Sequence, residues 1–285
     1  MKVFHHNDMD GICSAVVVLE TLGKREDVEL FSINYESDVE EKFNYAQEQE
    51  KVVIVDYSFT NNTCHILQNL IDKKCDILWI DHHDSSIKLE IEHPEFKVLR
   101  GIRSKDYSGA ALTYMFIKDC EYKEVPFFIK LISDYDTFQG KLKPDSDNFK
   151  LYYDSQQDKI KYLTEQLLLK DINTNSIYDD IRTGNKIKCY VDQENKSYRN
   201  SFGFETEIEG IKAYAINRMS NSWIFGEKYN EYPITCVFAF NGKEYQYTLF
   251  SSDPSIDCSK IANKFGGGGH KGAAGFRSKE NIFAK

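Results

Sequence analysis

The chain has 285 residues, room for about two ordinary domains. Hydrophobic residues make up 41% of it and aromatics 14%, which is enough apolar surface for one or two cores and excludes global disorder. Acidic residues outnumber basic ones 45 to 36, for a formal charge of -9, so a broad basic surface for long nucleic acid is excluded, although bound cations could reverse the charge of one cleft.

Taken in chain order, Lys2–His5 reads as a strand, followed by a helix from about Gly11 to Gly23 and a strand near Glu29–Asn34. Lys51-Val52-Val53-Ile54-Val55 is a β-branched run ending at Asp56. Cys64–Ile71 reads as helix, and Asp76-Ile77-Leu78-Trp79-Ile80 as a strand ending at Asp81. Apolar strands alternating with helices indicate a parallel sheet in an α/β layer. Helices over Ser108–Cys120 and Val125–Ser133 follow, then polar helical material to about Tyr198, with Ile177–Tyr198 reading as a connector. Strands return at Ile211–Ile216, Ile234–Phe240 and, after the turn Asn241-Gly242, Tyr245–Phe250. A helix over Ser255–Phe265 then leads into a glycine block. The expected fold class is α/β: a parallel-sheet lobe over 1–175, a helical linker over 176–201 and a smaller α/β lobe over 202–285.

The seven cysteines have irregular gaps and no CxxC, which points to reduced, mostly buried thiols rather than a disulfide framework or a zinc site. The opening MKVFHHNDMDG reaches charge before any apolar run, and Ala15–Leu19 is far short of a membrane span. A soluble cytoplasmic protein is expected.

Of four acidic features, three stand at the carboxyl ends of predicted parallel strands, the edge where open α/β sheets bind ligands. In His6-Asn7-Asp8-Met9-Asp10-Gly11, an extended backbone would point His6, Asp8 and Asp10 to one side, with Gly11 allowing a turn into the helix; the competing reading is a helix N-terminus capped by Asp10. Asp56 follows its strand alone and by itself reads as a turn residue. Asp81-His82-His83-Asp84 places two imidazoles between carboxylates, and a neighbouring Asp can fix a histidine tautomer. Ser133-Asp134-Tyr135-Asp136-Thr137-Phe138 closes an apolar helical stretch. Asp and His donors without thiolate suit Mn²⁺, Mg²⁺ or Fe²⁺ better than a structural zinc. More than four candidate ligands suggest a bridged pair of ions, which generates hydroxide near neutral pH and neutralises phosphoryl charge.

Gly267-x-Gly269-x-x-Gly272 matches a dinucleotide fingerprint in form, but only 13 residues follow it, too few for the helix and strand that fingerprint needs. Exposed amides beside His270 and Lys271 read instead as a phosphate cradle, against the alternative of a plain glycine linker.

Together these residues resemble the DHH phosphoesterase superfamily, whose name is the tripeptide Asp81-His82-His83. The resemblance runs over nearly the whole chain, and Ile261–Phe276 looks like the signature of the DHH-associated C-terminal domain. It implies a catalytic lobe holding two Mn²⁺, with Mg²⁺ or another divalent metal as the alternative. By motif matching, Asp8, Asp10, Asp56, His82 and Asp134 would be ligands, with Asp56 bridging and His6 joining them. Asp81, His83 and Asp136 would serve catalysis, His83 at the scissile phosphate; Gly267, Gly268, Gly269, His270 and Lys271 would hold the far end of a nucleotide. Asp134 is preferred to Asp136 as ligand because Phe138 then falls at the family's +4 spacing. The chain departs from the pattern at Phe4, where many members carry a histidine, and in Tyr245–Phe250, which lacks the arginine of some members.

The expected function is a manganese-dependent phosphodiesterase that hydrolyses short oligonucleotides to mononucleotides through a two-metal-activated water. The alternatives are action on cyclic or linear dinucleotides or 3′-phosphoadenosine 5′-phosphate, and a non-catalytic nucleotide sensor. Expected partners are a short oligonucleotide or dinucleotide substrate, no long duplex and no membrane, with a homodimer left open.

Overall fold

β-Branched and aromatic runs with two apolar faces build the first sheet: β1 (Lys2–His6), β2 (Glu29–Ile33), β3 (Lys51–Val55) and β4 (Asp76–Ile80). The computed structural model describes residues 1–22, 27–35, 39–169 and 174–283, so the expected helix end at Gly23 lies outside the described residues. The four strands are parallel, in the order β2-β1-β3-β4. Alternation along them feeds two cores. Val3, Val53, Val55, Leu78 and Ile80 point to one face, and Phe4, Val52, Ile54, Ile77 and Trp79 to the other. The chain goes from β1 to β2 on one side and then places β3 on the other, so β1 and β3 are neighbours whose carboxyl ends release the chain in opposite directions. That is the switch point at which sheets of this kind bind ligands.

Nine helices are described in this part of the chain: α1 (Met9–Thr21), α2 (Val39–Phe43), α3 (Cys64–Asp72), α4 (Asp84–Glu92), α5 (Gly109–Lys118), α6 (Phe127–Asp136), α7 (Asp145–Ser155), α8 (Lys159–Leu169) and α9 (Thr174–Phe202). A helical core joins Cys13 and Val17 of α1, Ala111 of α5, Ile129 and Ile132 of α6, Phe149 of α7, Leu163 of α8 and Ile181 of α9. Two differences from the sequence reading affect the site: α1 starts at Met9 rather than Gly11, and α6 runs on through Asp136 instead of stopping at Ser133.

The chain divides into two compact units, Met1–Ile187 and Lys188–Lys285, with the boundary inside α9. The second unit holds β5 (Gly203–Ile208), β6 (Ile211–Ile216), α10 (Lys228–Glu231), β7 (Ile234–Phe240), β8 (Tyr245–Phe250), α11 (Cys258–Lys264), β9 (Gly268–Gly269) and β10 (Ala273–Ser278). Its mixed sheet has the order β5-β6-β7-β8-β10-β9. Cys236, Tyr247, Leu249, Ala274 and Phe276 of the strands pack with Ile261 and Ala262 of α11.

All seven cysteines are free thiols, but only Cys13, Cys236 and Cys258 are buried and Cys189 is exposed, so "mostly buried" is corrected to three of seven. Among the described residues no helix is long and apolar enough to cross a membrane.

Candidate metal centre

Five chain segments meet at the carboxyl ends of β1, β3 and β4. On leaving β1, Asp8 caps α1: its Oδ1 accepts the Gly11 N–H at 2.9 Å, and its Oδ2 stands 2.8 Å from His6 Nδ1. The cap is therefore Asp8, not Asp10. The extended reading of His6, Asp8 and Asp10 holds only for the first two. Asp10 lies in the first turn of α1, buried, with Oδ1 accepting the Ala110 N–H at 3.0 Å. Gly11 serves close approach rather than a turn, because a Cβ there would sit 2.3 Å from the His6 carbonyl oxygen.

Asp56 follows β3 with φ +53°, a left-handed conformation that a short polar side chain tolerates better than most. It is buried, and both its oxygens lack a hydrogen-bond partner, as does Asp10 Oδ2. His82, after β4, brings Nε2 to 3.2 Å from Asp56 Oδ1, 3.2 Å from Asp136 Oδ2 and 3.9 Å from Asp10 Oδ2. His83 turns away toward Asp81, with Nδ1 and Asp81 Oδ1 2.8 Å apart. Asp81 is fully buried and its other oxygen accepts the Ser86 hydroxyl, so it is a fixed acceptor that assigns the proton of His83 to Nδ1 and leaves Nε2 for other partners.

Asp136, rather than the preferred Asp134, joins the cluster. Two residues on a helix point about 200° apart, so an α6 that continues to Asp136 cannot present both to one site. Asp136 reaches His82. Asp134 points elsewhere: its oxygens accept the Lys141 N–H at 2.7 Å and the Ser146 hydroxyl at 2.8 Å, tying the start of α7 to α6. Gly109, at the start of α5, was not singled out from the sequence. A Cβ there would lie 2.7 Å from Asp56 Cβ and 2.9 Å from Asp10 Oδ2, so only hydrogen leaves the space beside these carboxylates open. The available signal was the small-residue run Ser108-Gly109-Ala110-Ala111 at a helix start.

Electrostatics follow from this crowding. Desolvation first, then the neighbouring carboxylates, raise Asp10 and Asp56 above the ordinary carboxyl range, Asp56 the more strongly. The same causes push Asp136 up to about 8. Asp8 goes the other way: burial works to raise it, but the hydrogen bond and charge of His6 outweigh burial and hold it at about 2. For His6 and His83 desolvation is the largest single influence and works to lower them, but the hydrogen bonds and the charges of Asp8 and Asp81 together outweigh it and leave both raised.

Buried carboxylate oxygens without donors are costly unless a cation meets them. The donor set fits a hard divalent ion, since His6, Asp8 and Asp56 offer ligand atoms within 4.8 Å of one another, as do Asp10, His82 and Asp136, and Asp56, His82 and His83. Asp56 and His82 each belong to two of these groups. Neither Asp81 nor Asp134 belongs to any of them.

In the second unit, the glycine block is partly committed to structure. The Gly267 N–H bonds the Ala262 carbonyl at 2.9 Å, closing the end of α11, and a Cβ on Gly267 would meet the Gly275 carbonyl oxygen at 2.1 Å. Gly268 and Gly269 form β9, paired with β10, and the exposed His270 and Lys271 lie at the tip of that hairpin.

Residues 1–137 match the family model described as DHH family, N-terminal domain. No curated protein matches the chain by sequence. Among solved structures, a DHH domain described as a member of the s1p family of ribosomal proteins shares 18% identity at TM-score 0.64, covering 97% of this chain and 82% of that one. The pGpG-specific phosphodiesterase PggH from Vibrio cholerae shares 14% at TM-score 0.58, covering 98% and 92%. RecJ from Thermus thermophilus, solved in complex with Mn²⁺, shares 15% at TM-score 0.51, covering 99% of this chain and 50% of its own. At these identities the likeness is one of fold.

Proposed function

Because its first 137 residues match the N-terminal domain of the DHH family, we propose that this chain is a DHH-type phosphoesterase, a manganese-dependent phosphodiesterase that hydrolyses short oligonucleotides to mononucleotides. The observation that carries this reading is the convergence of three buried, unpartnered oxygens, Asp10 Oδ2 and both of Asp56, with His82 and Asp136. His6, Asp8 and Asp56 would hold one cation and Asp10, His82 and Asp136 a second, with Asp56 beside His82 of the second group. Bound there, such a pair supplies a nucleophile at neutral pH and neutralises charge on a phosphoryl oxygen.

The chain's own groups do the rest. α5 directs the Ala110 N–H at Asp10, fixing that carboxylate's rotation, while Gly109 keeps the adjoining space clear. The Asp81 contact to Nδ1 fixes the orientation of His83, and its raised pKa keeps the ring cationic over more of the neutral range, so that Nε2–H can donate to a non-bridging phosphate oxygen. In the proposed division, residues 1–175 are catalytic, 176–201 a linker and 202–285 the substrate-binding domain, with Gly268, Gly269, His270 and Lys271 holding the far end of the substrate.

A second reading, hydrolysis of linear or cyclic dinucleotides, draws support from the fold shared with a pGpG-specific enzyme. One experiment addresses both: the full chain with Mn²⁺ and labelled RNA from dimer to pentamer, beside pGpG, a cyclic dinucleotide and 3′-phosphoadenosine 5′-phosphate. Mononucleotide release that needs Mn²⁺ and disappears in Asp56→Asn is expected. Release from none of them, or release that Asp56→Asn leaves intact, overturns the assignment.

A further inference from the structure

Aromatic rings climb in a ladder from the core of the first unit to the edge of the carboxylate–imidazole cluster. Trp79 on β4 is fully buried and meets Phe59 edge-on with centroids 5.5 Å apart. Phe59 meets Tyr57 edge-on at 5.2 Å, and Tyr57, itself 1% exposed, stacks on Tyr35 at 4.9 Å with 16° between the planes. The lower rungs are pinned by Trp79 Nε1, which donates to the Tyr57 carbonyl at 3.0 Å.

The top rung is pinned as well. Tyr35 is the second residue past β2; its hydroxyl accepts the Ser58 N–H at 3.2 Å, and its own N–H donates to Asn34 Oδ1 at 2.9 Å. The same Asn34 oxygen lies 3.4 Å from His6 Nε2. The Tyr35 ring sits 5.5 Å from the His6 ring and 6.3 Å, edge-on, from the His83 ring, centroid to centroid. Yet Tyr35 is 52% exposed. An aromatic ring stacked on Tyr57 is thus still half exposed, and it stands beside both histidines.

Such a ring is suited to one more aromatic partner, because stacked planes are a favoured geometry and every nucleobase offers a π-face. A bare phosphate or a pyrophosphate has nothing to cover it. The geometry points to Tyr35 as the platform on which the base nearest the scissile phosphate stacks, so that the site takes a nucleotide next to the reacting bond. This inference rests on the phosphodiesterase reading and deepens it. Tyr35 would set substrate affinity for the base and take no part in bond breaking.

The test compares wild type, Tyr35→Phe and Tyr35→Leu as full chains with Mn²⁺, on a dinucleotide and on the matching dimer whose bases are replaced by hydrogen. Tyr35→Leu should raise KM for the dinucleotide roughly 5- to 100-fold, the range stacking on one base supplies, with kcat within a few-fold. Tyr35→Phe, which keeps the ring, should stay near wild type, and the abasic dimer should not distinguish the three. Equal KM values for Tyr35→Leu and wild type on the dinucleotide, or equal losses on both substrates, overturn the inference.

Binding gives a reading that needs no turnover. With Ca²⁺ replacing Mn²⁺, a dinucleotide carrying 2-aminopurine should lose fluorescence on binding wild type and keep it with Tyr35→Leu. Equal quenching by both, or no binding by wild type, overturns the platform. Hydrolysis of bis-p-nitrophenyl phosphate reports separately on the phosphodiesterase reading, so failure of one is distinguishable from failure of the other.

Discussion

Asp134 and Asp136 stand two residues apart and face different jobs, and a pair of isosteric substitutions separates them. Asp136→Asn removes a carboxylate oxygen from beside His82, and the rise in melting temperature on adding Mn²⁺ should vanish, with activity down by more than about 100-fold. Asp134→Asn keeps the metal response but weakens one buried and one half-buried hydrogen bond, costing about 1–3 kcal/mol in denaturant unfolding. The sequence placed both acids near the site and, on the spacing to Phe138, preferred Asp134 as the ligand, whereas it is Asp136 that reaches His82. That choice depends on how far α6 continues, and helix ends are set by tertiary packing more than by local residue preference. His82 and His83, by contrast, were legible as two imidazoles set between carboxylates after a strand, and the structure brings ligand atoms of both near Asp56, with His82 also beside Asp136.

Among elements, β3 and β4 have the limits read from sequence, because strands buried on both faces are written as unbroken apolar runs. α2 and α4 were not foreseen, being short and mostly polar, and β9 is two glycines that pair only because β10 lies alongside. The N-terminus of α5 shows why part of the site was hidden: its contribution is a backbone N–H and a missing side chain, neither of which has a chemical signature in sequence. Gly109→Ala checks this contribution. The added methyl intrudes on Asp56 and Asp10, so Mn²⁺ affinity should fall at least about tenfold by calorimetry while far-UV circular dichroism stays unchanged. Unchanged affinity would show that the carboxylates can move aside.

For the molecule as a whole, the crowded acids couple folding, protons and metal. Asp136 is held at about 8 in the folded chain against an ordinary 3.8. Between those values the folded state keeps a proton that the unfolded state has lost, so the metal-free chain should lose stability as pH rises from about 5 to about 8. Asp8, depressed to about 2, acts with the opposite sign and only in strong acid, outside that window. Cations must displace the retained protons, so Mn²⁺ should raise the melting temperature more at about pH 8 than at about pH 5.5. Thermal unfolding with chelator and with Mn²⁺ across this range checks both trends; a Mn²⁺ effect independent of pH would count against carboxylate ligation. In the second unit, the His270→Ala/Lys271→Ala double variant should leave that Mn²⁺ effect intact, yet raise KM for oligonucleotides about tenfold, by loss of charge-assisted bonds to the substrate.

The site draws its acids and imidazoles from positions between His6 and Asp136, and this dispersal along the chain has a consequence for biosynthesis. A nascent polypeptide that has reached β4 already carries Asp8, Asp10 and Asp56, but neither the α5 amide that orients Asp10 nor the last carboxylate. If the proposed centre holds its cations through all of these groups, stable capture would wait until α6 has emerged and docked. Metal loading would then be a late event in making the first unit, and chains released early should leave the ribosome empty.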